Sequence, residues 1–257
     1  MKVVILAGGY GTRIAEEVEA RPKPMVEVGG LPILWHIMKL YAAHGLTEFV
    51  VCLGYKGYMI KEYFAHYVLH RADVTVDLAG NDITYHASQA EPWMVTLVDT
   101  GLDTMTGGRM KRAARYLVHD QPFCMTYGDV LADVDVTALI DFHKARNREA
   151  TVTVVRPSGR FGATTLHEDR VVGFAERPGG AGDYINGGFF VLHPSVLRRI
   201  PGDATEWEDG PLEGLARDRQ LSAYQHDGFW QKMDTLREKR ALDTLWETGA
   251  APWKIWD

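Results

Sequence analysis

Four kinds of residue in this chain have the chemistry to handle a phosphorylated ligand. Gly8, Gly9 and Gly11 follow the apolar run Val3-Val4-Ile5-Leu6-Ala7, and Arg13 comes two residues later. Missing Cβ atoms let backbone N–H groups approach an anion closely, and a guanidinium offers a planar fork to phosphate oxygens. Lys23 lies between Pro22 and Pro24. Two prolines stiffen the loop that carries the ammonium group. Asp129 follows Tyr127-Gly128 at the end of the apolar segment "PFCMTY", and Asp234 lies in "FWQKMDTLREK". Carboxylates are hard oxygen donors suited to a cation such as Mg²⁺. Each feature also has a plain structural use. The glycines suit a tight turn, Lys23 a solvated connector, and Asp129 a loop cap. Asp234 precedes the capping-box spacing of Thr235 and Glu238.

Two other phosphate motifs fail. A dinucleotide fingerprint needs a third glycine at position 14, where Ile14 stands, and an acidic residue closing the next strand, where "FVVCLGY" has none. A Walker loop needs a lysine after Gly11. A dehydrogenase or a methyltransferase of the dinucleotide-binding type is therefore set aside. His66 and His70 are four apart, but no Glu follows His66 as zinc-peptidase chemistry requires. No Ser-His-Asp or Cys-His pattern offers a nucleophile.

The elements that must position these residues alternate. "KVVILA", "TEFVVCLGY", "MVTLVDTG", "PFCMTYGD" and "EATVTVVRP" read as strands; "LPILWHIMKLYAAHG", "GYMIKEYFAHYVLH", "GGRMKRAARYLV" and "DVTALIDFHKARN" read as helices, the last with Asp135 as N-cap and Asp133 facing solvent. "DVTVDLAGNDITYHA" reads as a hairpin. This predicts an α/β fold with a Rossmann-like, mostly parallel but mixed sheet flanked by helices. After Pro157 the texture becomes strand-rich, predicting antiparallel strands added in the C-terminal half. Residues 1–257 read as a single domain, with 1–156 mainly nucleotide-binding and 157–257 mainly for sugar phosphate and oligomerisation. The tail "APWKIWD" exposes two tryptophans unless the core or another subunit covers them.

With 257 residues and a formal net charge of −6, the chain lacks the basic stripe that nucleic acid requires. Two cysteines in apolar runs, an N-terminus that begins in a strand, and no apolar run of bilayer-spanning length predict a cytoplasmic protein without a membrane role.

"GGYGTR" and "RPKP" together resemble the signature of the sugar-phosphate nucleotidyltransferases, the nucleotide-sugar pyrophosphorylases. The resemblance continues through "PILWHIMK", "GYKGYMIKEYF", "EPWMVTLVDTG", "MTGGRMKR", "TYGD", "GRFGA", "INGGFFVL", "GFWQKMDTLREK" and "APWK", and is greatest to the branch using CTP and glucose 1-phosphate. It implies a homo-oligomeric enzyme with CTP and a sugar 1-phosphate as its partners. Asp129 and Asp234 would be ligands to Mg²⁺, and Arg13 and Lys23 catalytic. Leu6, Ala7, Gly8, Gly9, Tyr10, Gly11, Thr12, Arg13, Lys23, Thr104, Arg109 and Gly128 would bind the nucleotide, and Glu176, Arg177 and Asn186 the sugar phosphate. Asn186-Gly187-Gly188 also reads as a strand bulge. The sequence departs from the family pattern twice. Arg177 replaces a lysine, and Val130 follows Asp129 where glycine is usual, which is expected to narrow the space near the sugar.

Overall fold

The computed structural model describes residues 1–11, 20–117, 121–156, 163–167, 170–175 and 184–256. In chain order the elements are β1 (Val3–Ala7), β2 (Glu27–Val28), β3 (Leu31–Pro32), α1 (Ile33–Ala43), β4 (Glu48–Leu53), α2 (Gly57–Ala65), α3 (Tyr67–Arg71), β5 (Ala72–Asp77), β6 (Asp82–Ser88) and β7 (Met94–Asp99). There follow α4 (Thr106–Ala113), β8 (Phe123–Tyr127), β9 (Val130–Ala132), α5 (Val136–Arg146), β10 (Ala150–Val155), β11 (Ala163–His167), β12 (Arg170–Ala175) and β13 (Ile185–Leu192). The last are α6 (Pro211–Arg217), β14 (Leu221–Gln225), β15 (Trp230–Lys232) and α7 (Leu236–Glu247).

Nine strands form one sheet in the order β11-β12-β14-β10-β13-β8-β1-β4-β7. β8, β1, β4 and β7 are mutually parallel, with Val3 opposite both Phe49 and Cys124. β1 is apolar throughout because both of its faces are buried. Val3, Ile5 and Ala7 pack on α1 residues such as Ile37 and Tyr41, while Val4 and Leu6 join Met110 of α4 and Trp207 on the other face.

Of the C-terminal strands, β14, β12 and β11 extend one edge of the sheet, while β13 is inserted within it. β13 runs antiparallel between β8 and β10, and β14 lies parallel to β10. The order of chain segments therefore differs from the order in the sheet, because β13 is apolar enough to be buried on both sides. Asp135 caps α5 by accepting from Ala138 N at 2.9 Å. Asp133 is half-buried and not fully solvated; its carboxylate meets His226 Nε2 at 3.0 Å.

The tail folds back on the core. Trp253 is fully buried and stacks on Phe229 and Trp246, with ring centroids 5.5 and 6.4 Å away. His36 lies in this aromatic nest. Its Nε2 meets the Val28 carbonyl at 2.8 Å, which assigns the proton to Nε2, and burial pushes its pKa down to about 4. Both thiols are buried, and burial pushes each up to about 12. Among the described residues no helix is long and apolar enough to cross a membrane.

Candidate active site

Strands β1 and β8 are adjacent and parallel, so their carboxyl ends deliver Gly8–Gly11 and Gly128-Asp129 to the same edge of the sheet. Ligands in open α/β sheets bind beyond these ends. Gly128 N donates to Leu6 O at 3.0 Å, and a Cβ at Gly128 would sit 3.1 Å from both Leu6 O and Pro24 Cγ. A Cβ there would crowd both neighbours, so the close approach of the two segments favours glycine.

A cleft of about 480 Å³ opens at this edge. Its wall contains Leu6, Ala7, Gly8, Gly9, Tyr10, Gly11, Lys23, Thr104, Arg109, Gly128, Asp129 and Asp234. Every described residue assigned from sequence to nucleotide or metal thus lies on one cavity. Thr12, Arg13, Glu176 and Arg177 lie outside the described residues.

The two aspartates are brought together by a second, two-stranded sheet. β9 leaves directly after Asp129 and pairs antiparallel with β15, placing Val130 opposite Lys232. Met233 N then donates to Asp129 O at 2.9 Å, and Asp234 comes next. The capping box also forms: Glu238 N donates to Thr235 Oγ1 at 3.2 Å, and the Glu238 carboxylate accepts from Thr235 N and from Asp234 N. The cap fixes the backbone of Asp234 and leaves its carboxylate for the cleft.

Lys23 occupies the space between the carboxylates. Its Nζ is 2.5 Å from Asp129 Oδ2 and also donates to Asp234 Oδ1. Pro22 holds an extended backbone before the 3₁₀ turn Lys23–Met25 and directs the side chain inward. Lys23 was expected to face a triphosphate; here its ammonium is matched by two acids. Burial disfavours its charge, but Asp129 and Asp234 outweigh that and raise its pKa. Burial likewise pushes Asp234 up, and Lys23 with Lys232 reverses the shift, so its pKa is lowered. Lys232 Nζ lies 3.3 Å from Asp234 Oδ2. Lys232 was not recognised in the sequence. Its position two residues before Asp234 was the available signal, because side chains at i and i+2 share a strand face.

The donor set suits a hard cation. Asp129 Oδ1 is buried without a hydrogen-bond partner, and the other carboxylate oxygens already hold a positive group. Two carboxylates alone make a sparse protein site, the kind that Mg²⁺ completes with water and substrate phosphates.

Arg109 reaches the wall from beneath. Its Nη1 donates to Thr100 Oγ1 at 2.8 Å, Gly101 O at 2.7 Å and Leu53 O at 3.1 Å, and its Nη2 to Leu102 O at 3.0 Å. A Cβ on Gly8 would lie 2.2 Å from Arg109 Nη1. The guanidinium therefore pins the loops after β4 and β7 and supports the glycine turn. Tyr10 Oη donates to Asp103 Oδ1 at 2.8 Å, linking that turn to the loop before α4.

On the far side Asn186 lies behind the wall, not on it. Its Nδ2 donates to Tyr127 Oη at 3.3 Å, and its Oδ1 accepts from Gly188 N at 2.8 Å. The bulge reading also holds, since the β10–β13 register shifts between Val152 and Val154, opposite this stretch. Gly188 has φ +82°, and a Cβ there would meet the Tyr127 ring at 2.9 Å. Val130 corrects an expectation. It is 1% exposed within the core and does not border the cleft, so it narrows nothing there.

The nucleotidyl transferase family model matches residues 2–235. The chain belongs to the nucleotidyl transferase family. Family relatives include the glucose-1-phosphate cytidylyltransferase of Salmonella typhimurium, 58% identical over the full length of both chains. The mannose-1-phosphate guanyltransferase of Hypocrea jecorina is 30% identical across 94% of this chain and 62% of its own. Among solved structures, HddC from Yersinia pseudotuberculosis superposes with a TM-score of 0.77 at 21% identity, covering 95% of this chain and 99% of its own. A UDP-glucose pyrophosphorylase complexed with UDP-glucose gives 0.74 at 14% identity, covering 96% and 98%. These structural likenesses show that the family fold is shared.

Proposed function

We propose that the protein transfers the cytidylyl group of CTP to glucose 1-phosphate, forming CDP-glucose and pyrophosphate. The observation that carries this reading is the 58% identity, without truncation at either end, to the Salmonella typhimurium cytidylyltransferase. The cleft geometry supports it. A phosphate oxygen of the sugar attacks the α-phosphorus of CTP, and the bond from that phosphorus to the β-phosphate bridging oxygen breaks. Such a transfer asks the protein for position and charge, not for a covalent nucleophile.

In this reading the Gly8–Gly11 turn gives the triphosphate backbone N–H groups, Leu6, Ala7 and Gly128 give it close approach, and Thr104 and Arg109 form the nucleoside side. Thr12 and Arg13 join them by family resemblance. Asp129 and Asp234 would hold Mg²⁺, which when bound neutralises charge on the reacting phosphates. Lys23 and Lys232 then turn from the carboxylates to phosphate oxygens. Glu176, Arg177 and Asn186 serve the sugar phosphate. A cytoplasmic setting is part of this reading, in keeping with two buried free thiols. The two parts of the chain act as one functional domain.

The assembly is a homo-oligomer. Support comes from the β5–β6 hairpin, which pairs Val74 with Tyr85 and Val76 with Ile83. Val76, Leu78, Ile83 and Tyr85 are 43–89% exposed there. A lone two-stranded hairpin is marginal in water without a partner for its apolar face.

The test is pyrophosphate release with Mg²⁺ and glucose 1-phosphate from CTP, UTP, dTTP, ATP and GTP in turn. Rapid release with CTP, reduced by roughly 10²-fold or more in Asp129→Ala, is the expected result. Release that prefers another nucleotide, or survives the substitution, contradicts it.

A further inference from the structure

A second cavity, of about 550 Å³, lies at the opposite edge of the sheet from the cleft. Arg148 and Glu149 precede β10, His193 follows β13, and Gln220 precedes β14, so three strand ends meet there. Arg198 and Arg199 complete the wall from the 3₁₀ turn Pro194–Arg199. Leu192, the last residue of β13, pairs with Phe123, the first of β8, whereas Asp129 lies beyond the other end of β8. At roughly 3.3 Å per residue, the five residues of β8 put about 15 Å between the cavity and the cleft.

The lining offers donors and has used its acidic acceptor. Glu149 is the one acid among its described residues. Arg199 holds that carboxylate, with Nη2 2.8 Å from Oε1 and Nε 3.4 Å from Oε2, and Ser195 Oγ donates to Oε2 at 2.9 Å. Arg199 Nη1 donates to Asp218 Oδ2 at 2.6 Å. Arg199 is thus a fixed wall. Gln220 Oε1 accepts from Glu149 N at 3.3 Å, which leaves the NH₂ as the unused end of that amide. His193 Nδ1 accepts from Ser195 N at 3.2 Å, which puts the ring proton on Nε2. Arg148 Nη1 donates to Ser222 Oγ at 3.0 Å, which anchors its guanidinium at the start of β14. Arg198 is exposed, and its guanidinium makes no hydrogen bond or ion pair among the described residues.

These groups, Arg148, Arg198, His193 Nε2–H and the Gln220 NH₂, are all donors. Two are guanidinium forks, whose paired N–H groups match phosphate oxygens. In a chain with a formal net charge of −6, an anion bound here is held by these groups and not by a basic surface at large. We propose that this cavity is a second anion site, taking the phosphoryl group of inorganic phosphate or of a phosphate monoester, separate from the catalytic cleft. The site stands apart from the nucleotidyl-transfer reading, since none of its residues lines the cleft.

The experiment is a titration of the full chain with inorganic phosphate at constant ionic strength, followed by calorimetry and by the His193 imidazole signal in NMR, which His193→Gln identifies by its absence. A parallel titration with glycerol 3-phosphate separates free phosphate from an ester. Phosphate should move the signal saturably. Arg198→Ala should raise the midpoint about tenfold, the loss of roughly one charge-assisted hydrogen bond, and Arg198→Lys should raise it less. Melting temperature and pyrophosphate release of Arg198→Ala should match wild type, because this side chain touches neither the core nor the cleft. Tighter binding of the ester would make an ester the ligand; equal or weaker binding would make it inorganic phosphate. No saturable shift, the same shift with chloride at equal ionic strength, or a midpoint unmoved in Arg198→Ala would overturn the site. A wild type that binds phosphate here but releases no pyrophosphate would leave the site standing and overturn the enzyme reading instead.

Discussion

Replacing Lys23 by Met removes the positive group that separates Asp129 from Asp234 and keeps most of its volume. In the folded protein the lysine ammonium touches both carboxylates, whose side chains are 17% and 11% exposed. Breaking a buried ion pair by deleting one partner costs about 3–5 kcal/mol. The lower end applies here, because Lys232 still neutralises Asp234 from 3.3 Å. A loss of about 3 kcal/mol lowers the melting temperature of a chain this size by roughly 6–12 °C. Mg²⁺ should reverse that. A cation at a hundred times its Kd returns about 2.7 kcal/mol, nearly the whole deficit, and in the variant it meets two carboxylates with no ammonium group between them. The wild type should gain far less from the same Mg²⁺ without nucleotide. The assay is a pair of thermal melts, with and without Mg²⁺, on both proteins. A variant as stable as wild type, or an equal Mg²⁺ shift in the two, would refute the view that Lys23 holds the cation's place.

Acid should weaken the protein before its carboxylates titrate. His36 is held neutral, with its pKa pushed down to about 4 by burial, while an unfolded histidine titrates near pH 6.5. Between those values the unfolded chain binds a proton that the folded one refuses, so stability present above pH 6.5 is lost as pH falls towards 4, by about 3 kcal/mol. His143, also pushed down to about 4 by burial, adds in the same direction. Denaturant midpoints that stay flat from pH 7 to pH 4.5 would contradict this. Placing lysines at Val76 and Ile83 together should reduce the proposed homo-oligomer to a smaller species in light scattering behind size exclusion. An unchanged mass would show that the hairpin is not the contact.

The alternation of buried strands with helices was legible because it depends only on local periodicity, as in "VVILA" and "LPILWHIMK". The glycines, the proline-flanked lysine and the strand-end Asp129 were legible because they carry their chemistry in their type, whereas Thr104, Arg109 and Asp234 were singled out only by family resemblance. What sequence could not show is which residues meet across distance. Val130 was placed near the sugar by its neighbour in the chain, yet strand alternation turns it into the core. Asp133 was read as solvated until the chain after β14 brought His226 to it.

The pairing of β9 with β15 has a consequence for how the protein comes into being. Lys23 and Asp234 are 211 residues apart and meet only through that ladder. At about 5–20 residues per second, the last carboxylate leaves the ribosome on the order of 10–40 s after the lysine. During that interval the glycine turn and then Asp129 are made, but the proposed cation site lacks one of its two acids. On that reading a growing chain holds the glycine turn without a complete catalytic centre. Chains cut short before Asp234 stay incomplete in the same way, so any fragment that folds should bind without turning over.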